Sequence, residues 1–177
     1  MKPTVTQLIS LLDKPALLKW ANKIGLQGIS LDEYSEKSKQ AGTNIHNQIE
    51  NYIKDKIPFE SNLHQMQFDK FFFDKEIIEI EKQIETDYFI GRLDIIYKDR
   101  GKIYLCDFKS NQKRIYFENL LQLSAYKMAI NADKIAIISI PDFKIINIEL
   151  IDFKPYQEIL INLSNIYKIK KDIELFF

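Results

Sequence analysis

Two stretches, Tyr88–Lys98 and Lys102–Lys109, are dense in Ile, Tyr, Leu and Phe, and only Asp99-Arg100-Gly101 separates them. Strand-forming residues flanking a short Gly-containing turn predict a β-hairpin, and a hairpin restricts the chain more than any other local signal. A two-residue turn at Arg100-Gly101 sets Asp99 against Lys102. Counting outward, Asp94 then falls opposite Asp107, and Arg92 opposite Lys109. Because side chains alternate faces along a strand, these four project to one side, and Ile95, Cys106 and Phe108 to the other.

Two carboxylates facing each other across a hairpin repel. A divalent cation removes that cost: Mg²⁺ prefers carboxylate oxygens, water and phosphate. Lys109, two residues beyond Asp107 on the same face, can then reach a phosphate or an attacking water and offset developing charge. On an arbitrary hairpin, alternating charge is usually a solvated face with internal salt bridges, here to Lys109 and Arg92. Ile96, Leu105 and Ile103 share the acids' side, however, so this face is not simply solvated.

The rest of the chain supplies layers for that hairpin. Apolar residues at helical spacing over 4–24 predict two short helices divided at Pro15, with Gly25 and Gly28 as stops. Leu31 to Ile57 reads as a longer helix ending before Pro58, and Glu60 to Phe73 as a third. Ile77–Ile84 alternates as a strand. After the hairpin come a helix over Tyr116–Asn131, strands over Lys134–Ile140 and Lys144–Leu150 split by Pro141-Asp142, and a closing helix over Pro155–Ile173. This order predicts an α/β (α+β) chain: a mixed sheet of about five strands flanked by helices, with a helical N-terminal segment. The expected organisation is a single domain over 1–177, with a helical part at 1–60, a sheet core at 75–150 and a C-terminal helix at 153–175.

At 177 residues and 46% apolar composition the chain can bury a substantial core. No apolar run is long enough for a membrane span, and the N-terminus lacks a secretory pattern. Cys106 is the lone cysteine, which excludes an internal disulfide and a four-cysteine iron–sulfur cluster. A cytoplasmic protein is expected. Lys+Arg and Asp+Glu are both 25, which disfavours nucleic-acid binding by bulk charge. Locally the balance differs: Lys98, Arg100, Lys102, Lys109, Lys113 and Arg114 lie within seventeen residues that carry two acids.

Four segments in order, Gly42-Thr43-Asn44-Ile45-His46 with Glu50, Gly91-Arg92-Leu93-Asp94, Asp107-Phe108-Lys109-Ser110 and Gln122-Leu123-Ser124-Ala125-Tyr126, resemble the PD-(D/E)XK nuclease superfamily. They are most similar to its RecB-like branch, with the mitochondrial genome maintenance and phage exonucleases. Val5-Thr6-Gln7-Leu8-Ile9, Lys14-Pro15-Ala16-Leu17 and Trp20-Ala21 are similar to the start of phage members. Leu93 stands where the family has Pro.

The resemblance implies a restriction-endonuclease-like core and a Mg²⁺- or Mn²⁺-dependent DNA exonuclease working on single-stranded or frayed ends. It implies metal ligation by His46, Asp94, Asp107 and the Phe108 carbonyl, with Lys109 as catalytic lysine. Gln122 and Tyr126 would support the site or touch the strand. Glu50 would stand behind the ligands or join them. Arg92, Ser110, Lys113 and Arg114 are the candidate DNA contacts. A homo-oligomer or a recombination or replication partner is expected beside DNA, and no membrane. An endonuclease of the same fold, or a non-catalytic nucleic-acid-binding subunit, are the alternatives.

Overall fold

The computed structural model describes residues 2–12, 15–28, 30–148 and 152–174. Its elements are α1 (Val5–Ile9), α2 (Pro15–Leu26), α3 (Leu31–Asp55), α4 (Asn62–Phe72), β1 (Glu76–Glu85), β2 (Ile90–Asp99), β3 (Lys102–Ser110), α5 (Phe117–Ala129), β4 (Lys134–Ile140), β5 (Lys144–Asn147) and α6 (Lys154–Glu174). Element order and type follow the sequence expectation. The expected extension of β5 over 149–150, and Lys14 of the N-terminal resemblance, lie outside the described residues. The chain divides into two compact units, Met1–Leu11 with Leu63–Phe177, and Leu12–Asn62.

The second unit is helical. α3 ends where Lys56 takes a left-handed backbone, φ 58°, a conformation that breaks the helical ladder, and Pro58 follows. The tail then folds back along α3. The Glu60 N–H donates to Gln48 Oε1 at 3.0 Å, and the Phe59 ring meets Tyr52 edge-on at 5.3 Å.

The first unit is built on a five-stranded mixed sheet in the order β1-β2-β3-β4-β5. β1, β2 and β3 run antiparallel in sequence, β3 and β4 are parallel, and β5 turns back on β4. A parallel neighbour requires a crossover, because a tight turn can only reverse the chain. α5 is that crossover. Its residues Leu121, Leu123, Ser124, Ala125 and Tyr126 are all buried, as expected for a helix that packs on the sheet and also meets α1 and α6.

The hairpin turn has φ 49° at Arg100 and 79° at Gly101. Two positive φ values mark the turn type whose twist suits adjacent strands, so a two-residue connection forms here. β2 and β3 are buried on both faces. Ile96 and Leu105 lie on one, and Ile95, Tyr97, Cys106 and Phe108 on the other. On the second face an aromatic cluster forms: Tyr97 meets Phe71 and Phe72 of α4, and Phe143 meets Phe68 and Phe108. Of the Phe71–Phe73 run, Phe73 alone points outward and is 90% exposed. Among the described residues no helix is long and apolar enough to cross a membrane.

At the other end of β2, Thr4 and Gln7 cap α1 reciprocally, with the Gln7 N–H on Thr4 Oγ1 at 3.1 Å and the Thr4 N–H on Gln7 Oε1 at 2.8 Å. The capped helix presses Val5 against Gly91. A Cβ there would sit 3.1 Å from Val5 Cγ2 and 3.2 Å from Ile84 Cγ1. Gly91→Val is therefore expected to lower stability by about 1–3 kcal/mol through overpacking. A urea midpoint equal to that of the wild type would contradict this.

Candidate functional site

β2 and β3 pair from Asp99↔Lys102 to Ile95↔Cys106, the register that the turn length requires. Counting beyond those rungs sets Asp94 against Asp107 and Arg92 against Lys109, and here the structure differs. The described ladder ends at Ile95↔Cys106, and Asp94 Oδ2 instead accepts the Phe108 N–H at 2.6 Å. A carboxylate accepts more strongly than a peptide carbonyl, so it replaces the next main-chain rung. The two acids are neighbours without being a cross-strand pair.

Asp107 is almost wholly buried, at 2% side-chain exposure, and forms an ion pair with Lys109 Nζ. α5 closes the cluster. Gln122 Nε2 donates to Asp107 Oδ1 at 2.8 Å and to the Tyr126 hydroxyl at 2.6 Å, while its Oε1 accepts from Lys109 Nζ at 3.1 Å. Gln122 and Tyr126 are one turn apart and share a helix face. One amide thus holds the acid, the lysine and the phenol together.

The electrostatics follow from this enclosure. Burial opposes the charge on Lys109, but Asp107, through field and hydrogen bond, and then Asp94 outweigh it and raise its pKa. Burial chiefly, then the charges of Asp107, Asp94 and Glu81, raise the Tyr126 phenol against the opposing Gln122 bond. At neutral pH the cluster therefore offers a firmly charged ammonium and a neutral hydroxyl.

Glu81 is the acid that sequence reasoning missed. The pairs Ile80↔Ile95 and Lys82↔Leu93 flank it on β1, and they bring it beside Asp94. A Glu81 carboxylate oxygen lies within 4.8 Å of one on Asp94. Glu81 is 10% exposed, carries a left-handed backbone at φ 51°, and takes Arg92 Nε at 2.7 Å. Such a backbone costs about 1–3 kcal/mol in a non-glycine residue and persists where the surroundings hold it. The signal that could have found it, alternation of Glu79 and Glu81 with Ile78 and Ile80, does not reveal which strand lies alongside.

Arg92, taken from the sequence as a DNA contact, is thus the ion-pair partner of Glu81, although its side chain is 68% exposed. Ser110 ends β3, and Lys113 and Arg114 lie on the connection from β3 to α5; all three are exposed. His46 and Glu50 belong to α3 in the helical unit. There His46 is half-buried, and Glu50 pairs with Lys54 one turn on, at 2.6 Å. Within the sheet unit, Glu81, Asp94 and Asp107 supply hard oxygen donors, the type that suits Mg²⁺ or Mn²⁺ rather than a thiophilic metal.

No family model matches this chain, and no curated protein matches it. A solved structure described as "Crystal structure of SSO0001" is similar, with 18% identity over 93% of this chain and 76% of that one. Its TM-score is 0.48, a likeness too distant to bear on fold or function.

Lys109→Met leaves the buried Asp107 carboxylate without its cation. The expected loss is about 3 kcal/mol, at the low end for a broken buried pair, because the Lys109 side chain keeps 28% exposure. Since folding raises the lysine's pKa, its contribution is complete below the unfolded value of 10.5 and fades as pH climbs toward the folded one. Urea titrations in EDTA should show a constant gap between wild type and variant at neutral pH that narrows only above about 10.5. A gap that narrows between about pH 7 and 9 would contradict this assignment.

Proposed function

We propose that this chain is a metal-dependent nuclease that hydrolyses DNA phosphodiester bonds. The observation that carries the reading is the Asp107–Lys109–Gln122 cluster with the carboxylates of Asp94 and Glu81 beside it. Half-buried carboxylates, Glu81 and Asp94, gathered beside the buried Asp107 favour a bound cation. A divalent ion between Glu81 and Asp94, whose carboxylate oxygens lie within 4.8 Å of one another, fits that donor set, and the resemblance adds Asp107 as a third acid. Bound there, it would supply Lewis-acid stabilisation of charge at the phosphoryl group.

The chain's own residues divide the remaining work. Lys109, held charged by Asp107, serves as a hydrogen-bond donor and a fixed positive charge rather than as a base. It can orient a water toward phosphorus and offset charge on a non-bridging oxygen. Gln122 fixes the lysine's position, so little reorganisation is needed on substrate binding. Tyr126 supplies a neutral hydroxyl behind Gln122. Attack from an end of the strand follows from the resemblance to the RecB-like exonucleases, and the local cluster of Lys and Arg after the hairpin suits a polyanion despite zero net charge.

End-labelled single- and double-stranded DNA, with Mg²⁺ or with EDTA, tests the reading. Activity should vanish in EDTA, and Asp107→Ala and Lys109→Ala should each lose on the order of 10²-fold or more. Full activity in both variants would overturn the assignment. Circular single-stranded DNA separates the modes: cut circles would make the enzyme an endonuclease of the same fold.

A further inference from the structure

After Ser110, the last residue of β3, the chain leaves the sheet and crosses to α5, and Ser110, Asn111, Gln112, Lys113, Arg114 and Tyr116 line an open depression of about 390 Å³. That volume lies within the range of small-ligand sites. The loop is braced. The Asn111 N–H donates to the Ile140 carbonyl at 2.8 Å. Asn119 Oδ1, on a residue 7% exposed, accepts from Gln112 Nε2 at 2.8 Å and the Tyr116 N–H at 2.9 Å. Its shape is therefore set before anything binds, which reduces the ordering cost of binding.

Its chemistry is cationic and aromatic together. Lys113 and Arg114 are exposed, and neither has an acidic partner among the described residues. Arg114 lies over the Tyr116 ring, with Cζ 4.9 Å from the centroid, and Tyr116 is 46% exposed. An exposed ring with unpaired cations beside it matches what an unstacked nucleotide requires, a π-face for the base and positive charge for the phosphates.

We infer that the β3–α5 loop is a nucleotide subsite for single-stranded DNA, in which a base stacks on Tyr116 and the flanking phosphates meet Lys113 and Arg114. A base that takes Arg114's place over the ring exchanges one cation–π contact for a stack and releases the guanidinium to the backbone. The preference for single strands follows because bases in a duplex already stack on their neighbours and offer no free face. The loop adjoins Lys109 in the chain, so a strand seated there continues toward the acidic cluster. That the strand is DNA rests on the nuclease reading.

Binding measured by fluorescence anisotropy in EDTA, with a labelled oligothymidine and a blunt duplex of equal length, tests this apart from cleavage. Tyr116→Ala should weaken single-strand affinity by on the order of 10-fold and leave duplex affinity within about 2-fold, and Tyr116→Trp should restore it. Lys113→Ala with Arg114→Ala should weaken binding to both and reduce the salt slope for the single strand by about 1.4. Thermal melts confirm that each variant folds. Wild-type protein that ignores the single strand, or a Tyr116→Ala variant that binds it normally or loses both substrates equally, would overturn the subsite. The expected binding pattern without metal-dependent cleavage would leave the subsite standing and remove the nuclease. Cleavage with normal binding by Tyr116→Ala would do the reverse.

Discussion

A carboxylate with 2% of its side chain exposed loses most of its hydration, a cost of several kcal/mol that only close positive charge and hydrogen bonds can return. Asp107 meets this demand from two directions. Its own strand supplies Lys109, two residues on and therefore on the same face. The crossover helix supplies Gln122, whose amide bonds the acid with one end and the lysine with the other. The topology and the site are consequently inseparable. β3 and β4 are parallel, a parallel pair needs a crossover, and the crossover lays α5 over this patch of sheet. A β3–β4 hairpin would have left Asp107 open to water with no partner above it.

Around that centre the sheet edge is shaped by three local departures from regularity. Asp94 replaces a ladder rung with its own carboxylate, so β2 and β3 stop pairing where the acids begin. Glu81 adopts a left-handed backbone and comes beside Asp94. Gly91 lets Val5 of α1 and Ile84 of β1 approach to distances that a side chain would obstruct. Each departure carries a cost, and each lies within a few residues of the same carboxylates. In a regular sheet these positions would read as ordinary strand, and all three irregularities gather around the same carboxylates.

The loop after Lys109 extends the same principle outward. Lys109 in the interior cluster is held by Asp107 and Gln122, whereas Lys113 and Arg114 are left to solvent and to one tyrosine ring. The cation inside the fold is paired, and the cations on the loop are available. Zero net charge is therefore compatible with the proposed binding of a polyanion, since local unpaired charge at the site of contact governs steering and not the total.

The amino-acid order by itself determined the element sequence and the hairpin register. Both rest on local physics: apolar periodicity, a two-residue turn, and Pro and Gly as stops. It also indicated that the acids' face is not open to water, because Ile96 and Leu105 share that face, and both are buried. Gln122 and Tyr126 entered through resemblance alone, and tertiary structure shows what they touch. Glu81 was not read because the β1–β2 connection over 86–89 has no Gly or Pro to fix its length, and only once Glu85 pairs with Ile90 does the count lead to Asp94. The end of the ladder at Asp94 was equally hidden, since whether a carboxylate outcompetes a peptide carbonyl depends on where the neighbouring strand actually lies. Side-chain identity is local information. Which side chains share one buried volume is decided only when the sheet closes and α5 packs across it.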